Sequence, residues 1–127
     1  MRYANDEPVA RSSISFFENG MRGHSAVRNI TNLGDNQYLI ERTKERPDIR
    51  VLIVDIYILG EADIYEISPR IRGIDCIVLV GFNNRYSSAA KNLAKQMNVG
   101  LYDNREFFGA LNCVGDSFLN YKKEAKI

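Results

Sequence analysis

The stretch that decides the fold, residues 47–81, reads PDIRVLIVDIYILGEADIYEISPRIRGIDCIVLVG. Its first part, residues 49–59, is rich in β-branched residues and apolar on both faces, which is typical of a central strand covered on two sides. Gly60 ends this strand, and acidic residues then open a helix that runs to Ile67, because carboxylates are favoured at the positive end of a helix dipole. Residues 75–81 supply a second buried strand. This stretch therefore predicts a strand, a helix and a second strand.

The same alternation continues toward the C-terminus. A helix is predicted to begin near Ser87 and Ser88, and a short strand follows at residues 101–102. Asp103 and Glu106 stand three residues apart, the spacing of a capping box that opens the next helix. Repeated strand–helix units predict parallel strands joined by right-handed crossovers. The fold class is therefore α/β, with a mainly parallel central sheet flanked by helices on both faces in three layers.

The length of the chain fits one domain, residues 1–127. Within it, residues 1–11 are expected to form a loose N-terminal arm and residues 122–127 a frayed tail.

The N-terminal half gives weaker signals than the rest. Ser12 and Ser13 are cap candidates for a short helix that Gly20 would end. The apolar side chains of residues 23–33 recur at helical spacing, which predicts a second helix. Residues 35–46 suit either a short helix or the first arm of a hairpin.

Composition excludes several classes of protein. The 17 Lys and Arg residues nearly balance the 16 Asp and Glu residues, whereas DNA-coating and membrane-surface proteins need a surplus of cations. Two cysteines and one histidine are too few for the usual four-ligand zinc site. The apolar run Val51–Leu59 is too short to cross a bilayer, and residues 1–9 lack the apolar region of a secretory signal. We expect two reduced thiols, a cytoplasmic location and no membrane partner.

The loop Gly81–Ser88 is the main candidate site, because ligands of parallel sheets collect beyond the carboxyl ends of the strands. It brings amides, a guanidinium and hydroxyls to the start of a helix, whose free N–H groups attract anions. The candidate ligand-binding residues are Asn83, Asn84, Arg85, Ser87 and Ser88. In the alternative interpretation, the serines only cap the helix and the asparagines only form a turn.

Charge is segregated along the chain. Residues 51–69 contain four carboxylates and no Lys or Arg, and Asp55 lies inside the apolar run. A divalent cation could occupy such a cluster, or Asp55 could accept hydrogen bonds while the other carboxylates face a helix N-terminus.

The candidates for a compensating basic patch are Arg70, Arg72 and Arg105, helped by Arg85, although such residues also occur on solvated faces. Lys91 and Lys95 are placed on the outer side of one helix.

The segment from Ile74 to Asn112 carries a family resemblance. The matching positions are Ile77-Val78-Leu79-Val80, Ala89-Ala90 with Leu93-Ala94, Val99-Gly100-Leu101-Tyr102-Asp103, and Glu106-Phe107 with Leu111. This order of buried strand, polar loop, Ala-rich helix, brief strand and helix resembles the C-terminal half of the Mrr-like restriction endonucleases. The fold implied is nuclease-like, with a Rossmann-like arrangement as the alternative.

The resemblance also implies a PD-(D/E)xK metal site on the strands before residue 60. Pro47-Asp48 would supply the first acid, and Asp55-Ile56-Tyr57 stands where the (D/E)xK triplet should be. Asp48 and Asp55 are thus the candidate catalytic and metal-binding residues. Tyrosine replaces the lysine of the triplet and cannot supply its permanent positive charge. The resemblance therefore implies a member of the family that has lost cleavage.

These observations predict a binding protein that performs no catalysis and needs no cofactor. The expected partner is nucleic acid, a nucleotide or a phosphorylated protein. One alternative is a nuclease that depends on Mg²⁺ or Mn²⁺. Another is a protein-interaction or oligomerisation module, since one domain of this size has to hide six aromatic residues near its ends. These are Phe16, Phe17, Phe107, Phe108, Phe118 and Tyr121.

Overall fold

The computed structural model describes residues 9–122, which form five α-helices and seven strands. The helices are α1 (Arg11–Arg22), α2 (Glu61–Ile67), α3 (Ser88–Gln96), α4 (Asn104–Ala110) and α5 (Asp116–Leu119). The strands are β1 (Val27–Gly34), β2 (Gln37–Arg42), β3 (Ile49–Val54), β4 (Ile58–Leu59), β5 (Cys76–Leu79), β6 (Arg85–Tyr86) and β7 (Gly100–Asp103). Most of the predicted arm and nearly all of the predicted tail lie outside the described residues.

The main sheet has five strands in the order β1-β2-β3-β5-β7. β2 runs antiparallel to both of its neighbours, whereas β3, β5 and β7 are parallel to one another. Four of these five strands therefore point the same way. β4 and β6 form a separate two-stranded parallel sheet.

Helices cover both faces of the main sheet, because its central strands β3 and β5 are apolar on both sides. One face packs against α1 and α4 and contains Val51 and Val78 in a single buried cluster with Phe17 and Phe107. The other face packs against α2 and α3. Side chains alternate across a strand, so each buried strand contributes to both layers. The structure confirms the predicted three-layer α/β class; the sheet is mixed, with parallel pairings among β3, β5 and β7 and antiparallel pairings among β1, β2 and β3.

The helix predicted for residues 23–33 is wrong, because this segment forms β1. A register shift between Val27 and Asn29 marks a β-bulge in the pairing of β1 with β2. The extra residue lets Val27 and Ile30, three positions apart, both pack against the same core cluster. A bulged strand therefore reproduces the apolar spacing of a helix.

Two further segments differ from the simplest prediction. Residues 35–46 take the hairpin alternative, since β2 pairs with β1 on one side and β3 on the other. The single strand predicted over residues 49–59 is divided, because β3 ends at Val54 and the chain leaves the main sheet before β4.

Several local predictions are confirmed. Asp103 Oδ1 accepts a hydrogen bond from the Glu106 backbone N–H at 2.8 Å, and Glu106 Oε1 accepts from the Asp103 backbone N–H at 3.1 Å. This capping box begins α4 directly at the carboxyl end of β7. Cys76 and Cys113 are free thiols. No helix in residues 9–122 is long and apolar enough to cross a lipid bilayer.

Candidate ligand-binding site

A cleft of about 650 Å³ lies at the carboxyl ends of β5 and β7. Its walls come from the first turns of α1, the loop after β5 and the first turn of α4. Its volume is within the usual range for small-molecule sites, and its position is the one expected for parallel sheets. This cleft is the candidate functional site.

Close approach of two loops shapes one side of the cleft. A Cβ added to Gly81 would lie 2.0 Å from Asp55 Oδ1 and 2.6 Å from the nearest side-chain atom of Asn84. Asn84 Oδ1 accepts hydrogen bonds from the backbone N–H groups of Ile56 at 3.1 Å and Gly81 at 3.0 Å. Asn84 therefore fastens the loop after β3 to the loop after β5, and Gly81 is needed because nothing larger fits between them.

Two exposed phenylalanine rings line the cleft. Phe82 is 91% exposed and Phe16, on α1, is 59% exposed. Asn83 adopts a φ of 59°, a left-handed conformation that asparagine tolerates better than most residues. Large apolar side chains held in solvent beside a cleft are typical of a binding surface.

Polar groups complete the cleft. Asn104 Nδ2 donates to the Val80 carbonyl at 3.3 Å, while Asn104 Oδ1 is buried without a hydrogen-bond partner among the described residues. An unpaired buried acceptor costs about 1–3 kcal/mol and requires an explanation. Arg105 is exposed beside it and lines the cleft. The cleft thus combines aromatic rings, an amide and a guanidinium.

A third exposed aromatic residue, Tyr57, lies beside the loop that carries Phe82. Tyr57 is 62% exposed, and the Arg85 guanidinium lies 5.8 Å from the centre of its ring. The Arg85 N–H donates to the Tyr57 carbonyl at 2.9 Å, which fixes the two residues next to each other. Arginine over an aromatic face is a cation–π arrangement.

The predicted ligand-binding residues have different surroundings. Asn83 and Asn84 line the cleft, and Arg85 stacks on Tyr57 next to it. Ser87 Oγ instead accepts a hydrogen bond from the Ala90 N–H at 3.1 Å and caps α3, and Ser88 does not line the cleft. For Ser87 the capping alternative therefore describes the geometry.

The predicted basic patch of Arg70, Arg72 and Arg105 is not assembled. Arg70 donates to the carbonyl of Asp35. Arg72 lines a separate hollow with residues 97–99, before the amino end of β7, whereas Arg105 follows the carboxyl end of that strand. Only Arg105 contributes to the cleft.

The predicted metal ligands are separated as well. Asp48 precedes β3 and Asp55 follows it, so the six residues of an extended strand, roughly 20 Å, lie between them. The two carboxylates therefore do not share one ion. Within residues 9–122, no group of three or more His, Cys, Asp or Glu side chains could hold a metal. Asp55 forms no hydrogen bond or ion pair with the residues that the structure describes.

Lys91 is not on the outer side of α3 as predicted. Its Nζ donates to the Leu101 carbonyl on β7, an edge strand of the sheet, and lies 4.3 Å from the centre of the Tyr102 ring. Nearby, the Tyr86 hydroxyl donates to the Glu106 carboxylate at 2.7 Å. Burial lowers the pKa of Lys91 to about 8, while the Glu106 charge opposes that shift. A lysine at this edge also discourages pairing with another strand.

This environment predicts a pH effect on stability. Between pH 8 and 10 the unfolded chain keeps Lys91 protonated while the folded chain releases the proton, so Lys91 makes the protein more stable as pH rises. We expect wild type to gain about 1–2 kcal/mol relative to Lys91→Met across this window, after discounting for solvent screening. Urea unfolding at several pH values measures the difference. Parallel pH curves for the two proteins would contradict the prediction.

Sequence reasoning missed Phe16, Phe82 and Tyr57 as site residues. Phe82 directly follows a strand-ending glycine, which is a signal that could have found it. Phe16 had no such signal, because only folding brings α1 to this edge of the sheet.

The chain matches no family model, no curated protein and no solved structure. The interpretation of the cleft accordingly depends on its own geometry.

Proposed function

We propose that this protein binds a nucleotide unit, free or within a nucleic acid, in the cleft and does not cleave it. The observation that carries the proposal is the pair of exposed rings, Phe16 and Phe82, on a cleft that also holds the guanidinium of Arg105. Stacking of a base on an aromatic side chain contributes about 1–3 kcal/mol, and a guanidinium pairs with phosphate. A base and a phosphate are the two parts of a nucleotide.

The first turn of α1 adds to the phosphate-binding capacity. Ala10, the N-cap residue of this 12-residue helix, provides no side-chain cap. Ser12 and Ser13, in the first turn of α1, line the cleft. Helix N-termini with free N–H groups favour anions.

Binding is favoured over hydrolysis because Asp48 lies at the opposite end of β3 from Asp55. Asp48 therefore cannot act as the second acid of a metal site at Asp55. The residue two positions on is Tyr57, which carries no positive charge. The resemblance to Mrr-like nucleases stays a proposal, as does its implication that a member of this kind has lost cleavage. A cytoplasmic location likewise stays a prediction from composition.

The interaction-module alternative loses part of its basis. Phe17, Phe107 and Phe118 are buried, so three of the six aromatic residues near the chain ends need no partner. Phe16 remains exposed, and it lines the cleft.

The proposal is tested by titrating the four ribonucleoside 5′-monophosphates at millimolar concentration and following backbone amide shifts by NMR. We expect at least one nucleotide to shift the amides of residues 81–84 and 104–105. Phe82→Ala should weaken its binding about tenfold, as expected for loss of one stacking contact. Tyr65→Ala is a matched control, because Tyr65 is 60% exposed and lies on α2, away from the cleft. Absence of these shifts, or unchanged binding by Phe82→Ala, would overturn the proposal.

Asp55→Asn separates binding from the nuclease alternative. Asp55 contacts Gly81, so removing its charge should strengthen binding of a phosphate-bearing ligand a few-fold, with or without Mg²⁺. Weaker binding that depends on Mg²⁺ or Mn²⁺ would instead support the metal-dependent nuclease.

A further inference from the structure

We infer that the ligand is a single-stranded nucleic acid, whose adjacent bases occupy the cleft and the exposed ring of Tyr57. This inference rests on the proposed function and names its substrate class.

Tyr57 has the properties of a second base platform. Its ring is 62% exposed, and the Arg85 guanidinium lies 5.8 Å from its centre. The platform is held rigidly, because the β4–β6 pairing is extended by hydrogen bonds from Arg85 N–H to the Tyr57 carbonyl and from Ser87 N–H to the Leu59 carbonyl, both at 2.9 Å. Stacking on such a ring does not require a particular base.

Asn84 connects this platform to the cleft. Its Oδ1 accepts hydrogen bonds from Ile56 N–H and from Gly81 N–H, at 3.1 and 3.0 Å, so these two nitrogens lie within about 6 Å of each other. Ile56 precedes Tyr57, and Gly81 precedes Phe82. The backbones that carry the two exposed rings are therefore fixed close together, as neighbouring bases of one strand would require.

Charge on this edge suits a polynucleotide backbone. Arg105 lines the cleft, and Arg85 lies at the Tyr57 platform, so exposed guanidinium groups lie at both base positions. A strand whose bases occupy both positions would have a guanidinium group near each base. A duplex would keep its bases stacked within the helix and unavailable to the exposed rings, whereas unpaired bases can stack on aromatic side chains.

The test is a length series of oligodeoxyuridylate and oligouridylate, from one to eight nucleotides, competing with a fluorescein-labelled eight-nucleotide strand in fluorescence anisotropy. We expect affinity to rise at least tenfold between one and four nucleotides in the DNA or the RNA series, and the tighter series identifies the preferred sugar. Tyr57→Ala should weaken binding of the four-nucleotide strand roughly tenfold and leave the mononucleotide unchanged. Phe82→Ala should weaken both.

Two controls keep loss of folding from being mistaken for loss of a contact. Tyr57→Phe retains the ring and should bind like wild type, and Tyr65→Ala should bind every length like wild type. Three results would overturn the inference and leave nucleotide binding itself standing. They are equal affinity for one and four nucleotides, an equal loss of affinity at both lengths in Tyr57→Ala, and tighter binding of a duplex of the same length. Failure of every nucleotide to bind would overturn the proposed function as well.

Discussion

Arg42→Met is expected to lower the free energy of unfolding by about 3–5 kcal/mol, the largest effect of any substitution considered for this protein. Arg42 is 5% exposed, and no carboxylate forms an ion pair with it in the described part of the chain. Its guanidinium instead donates to the carbonyls of Pro47, Leu111 and Cys113, at 2.8, 3.1 and 2.6 Å. It also lies 5.6 Å from the centre of the Phe118 ring.

The physical reason is the loss of three hydrogen bonds at once. Methionine fills much of the space but donates nothing, so carbonyls in the loop before β3 and at the C-terminal end of α4 lose their partner. Each buried unsatisfied group costs about 1–3 kcal/mol. Because small domains have only about 5–15 kcal/mol of total stability, the variant should be close to unfolding.

Urea unfolding followed by circular dichroism measures the effect. Arg50→Met is the matched control, since Arg50 lies exposed on the neighbouring strand β3 and should change stability by less than about 0.5 kcal/mol. Arg42→Lys keeps a cation but loses the planar fork, so we expect an intermediate loss that stays measurable if the methionine variant does not fold. Losses of the same size for Arg42→Met and Arg50→Met would contradict the prediction.

Gly81→Ala is expected to abolish ligand binding in the cleft and to lower stability by about 1–3 kcal/mol. The new methyl group would meet Asp55 Oδ1 at 2.0 Å and the Asn84 side chain at 2.6 Å. Asn84 is held by two backbone hydrogen bonds and cannot withdraw without breaking them. The clash would therefore separate the loops after β3 and β5 and displace Phe82.

Thermal unfolding and the nucleotide titration measure the two effects. Gly23→Ala is the matched control, because an added Cβ there meets its nearest atom at an ordinary 3.6 Å. The double variant Asp55→Ala with Gly81→Ala removes the closest clash and should recover part of the lost stability, a coupling of about 0.5–3 kcal/mol. Additive losses, or normal binding by Gly81→Ala, would show that the close approach is unimportant.

Local signals predicted much of the fold. The capping box of Asp103 and Glu106 and the short helix α2 were correctly placed, because each depends on residues within one turn of helix. The buried strand β5 was recognisable from its unbroken apolar run. The bulge in β1 defeated the same reasoning, because a bulge is a property of the pairing between two strands and not of one segment.

The candidate site was predicted only in part. The rule that ligands collect at the carboxyl ends of parallel strands identified Asn83 and Asn84. It could not identify Phe16, which lies 66 residues before Phe82 in the chain. It also could not show that Ser87 is occupied in capping α3.

The sequence by itself determined the class of the fold, because β-branched runs, helix caps and chain breaks act within a few residues of one another. Only the tertiary structure decided where the chemistry lies. The exposure of the rings and the narrow gap at Gly81 depend on segments far apart in the chain, and these are fixed when the helices and loops pack around the finished sheet.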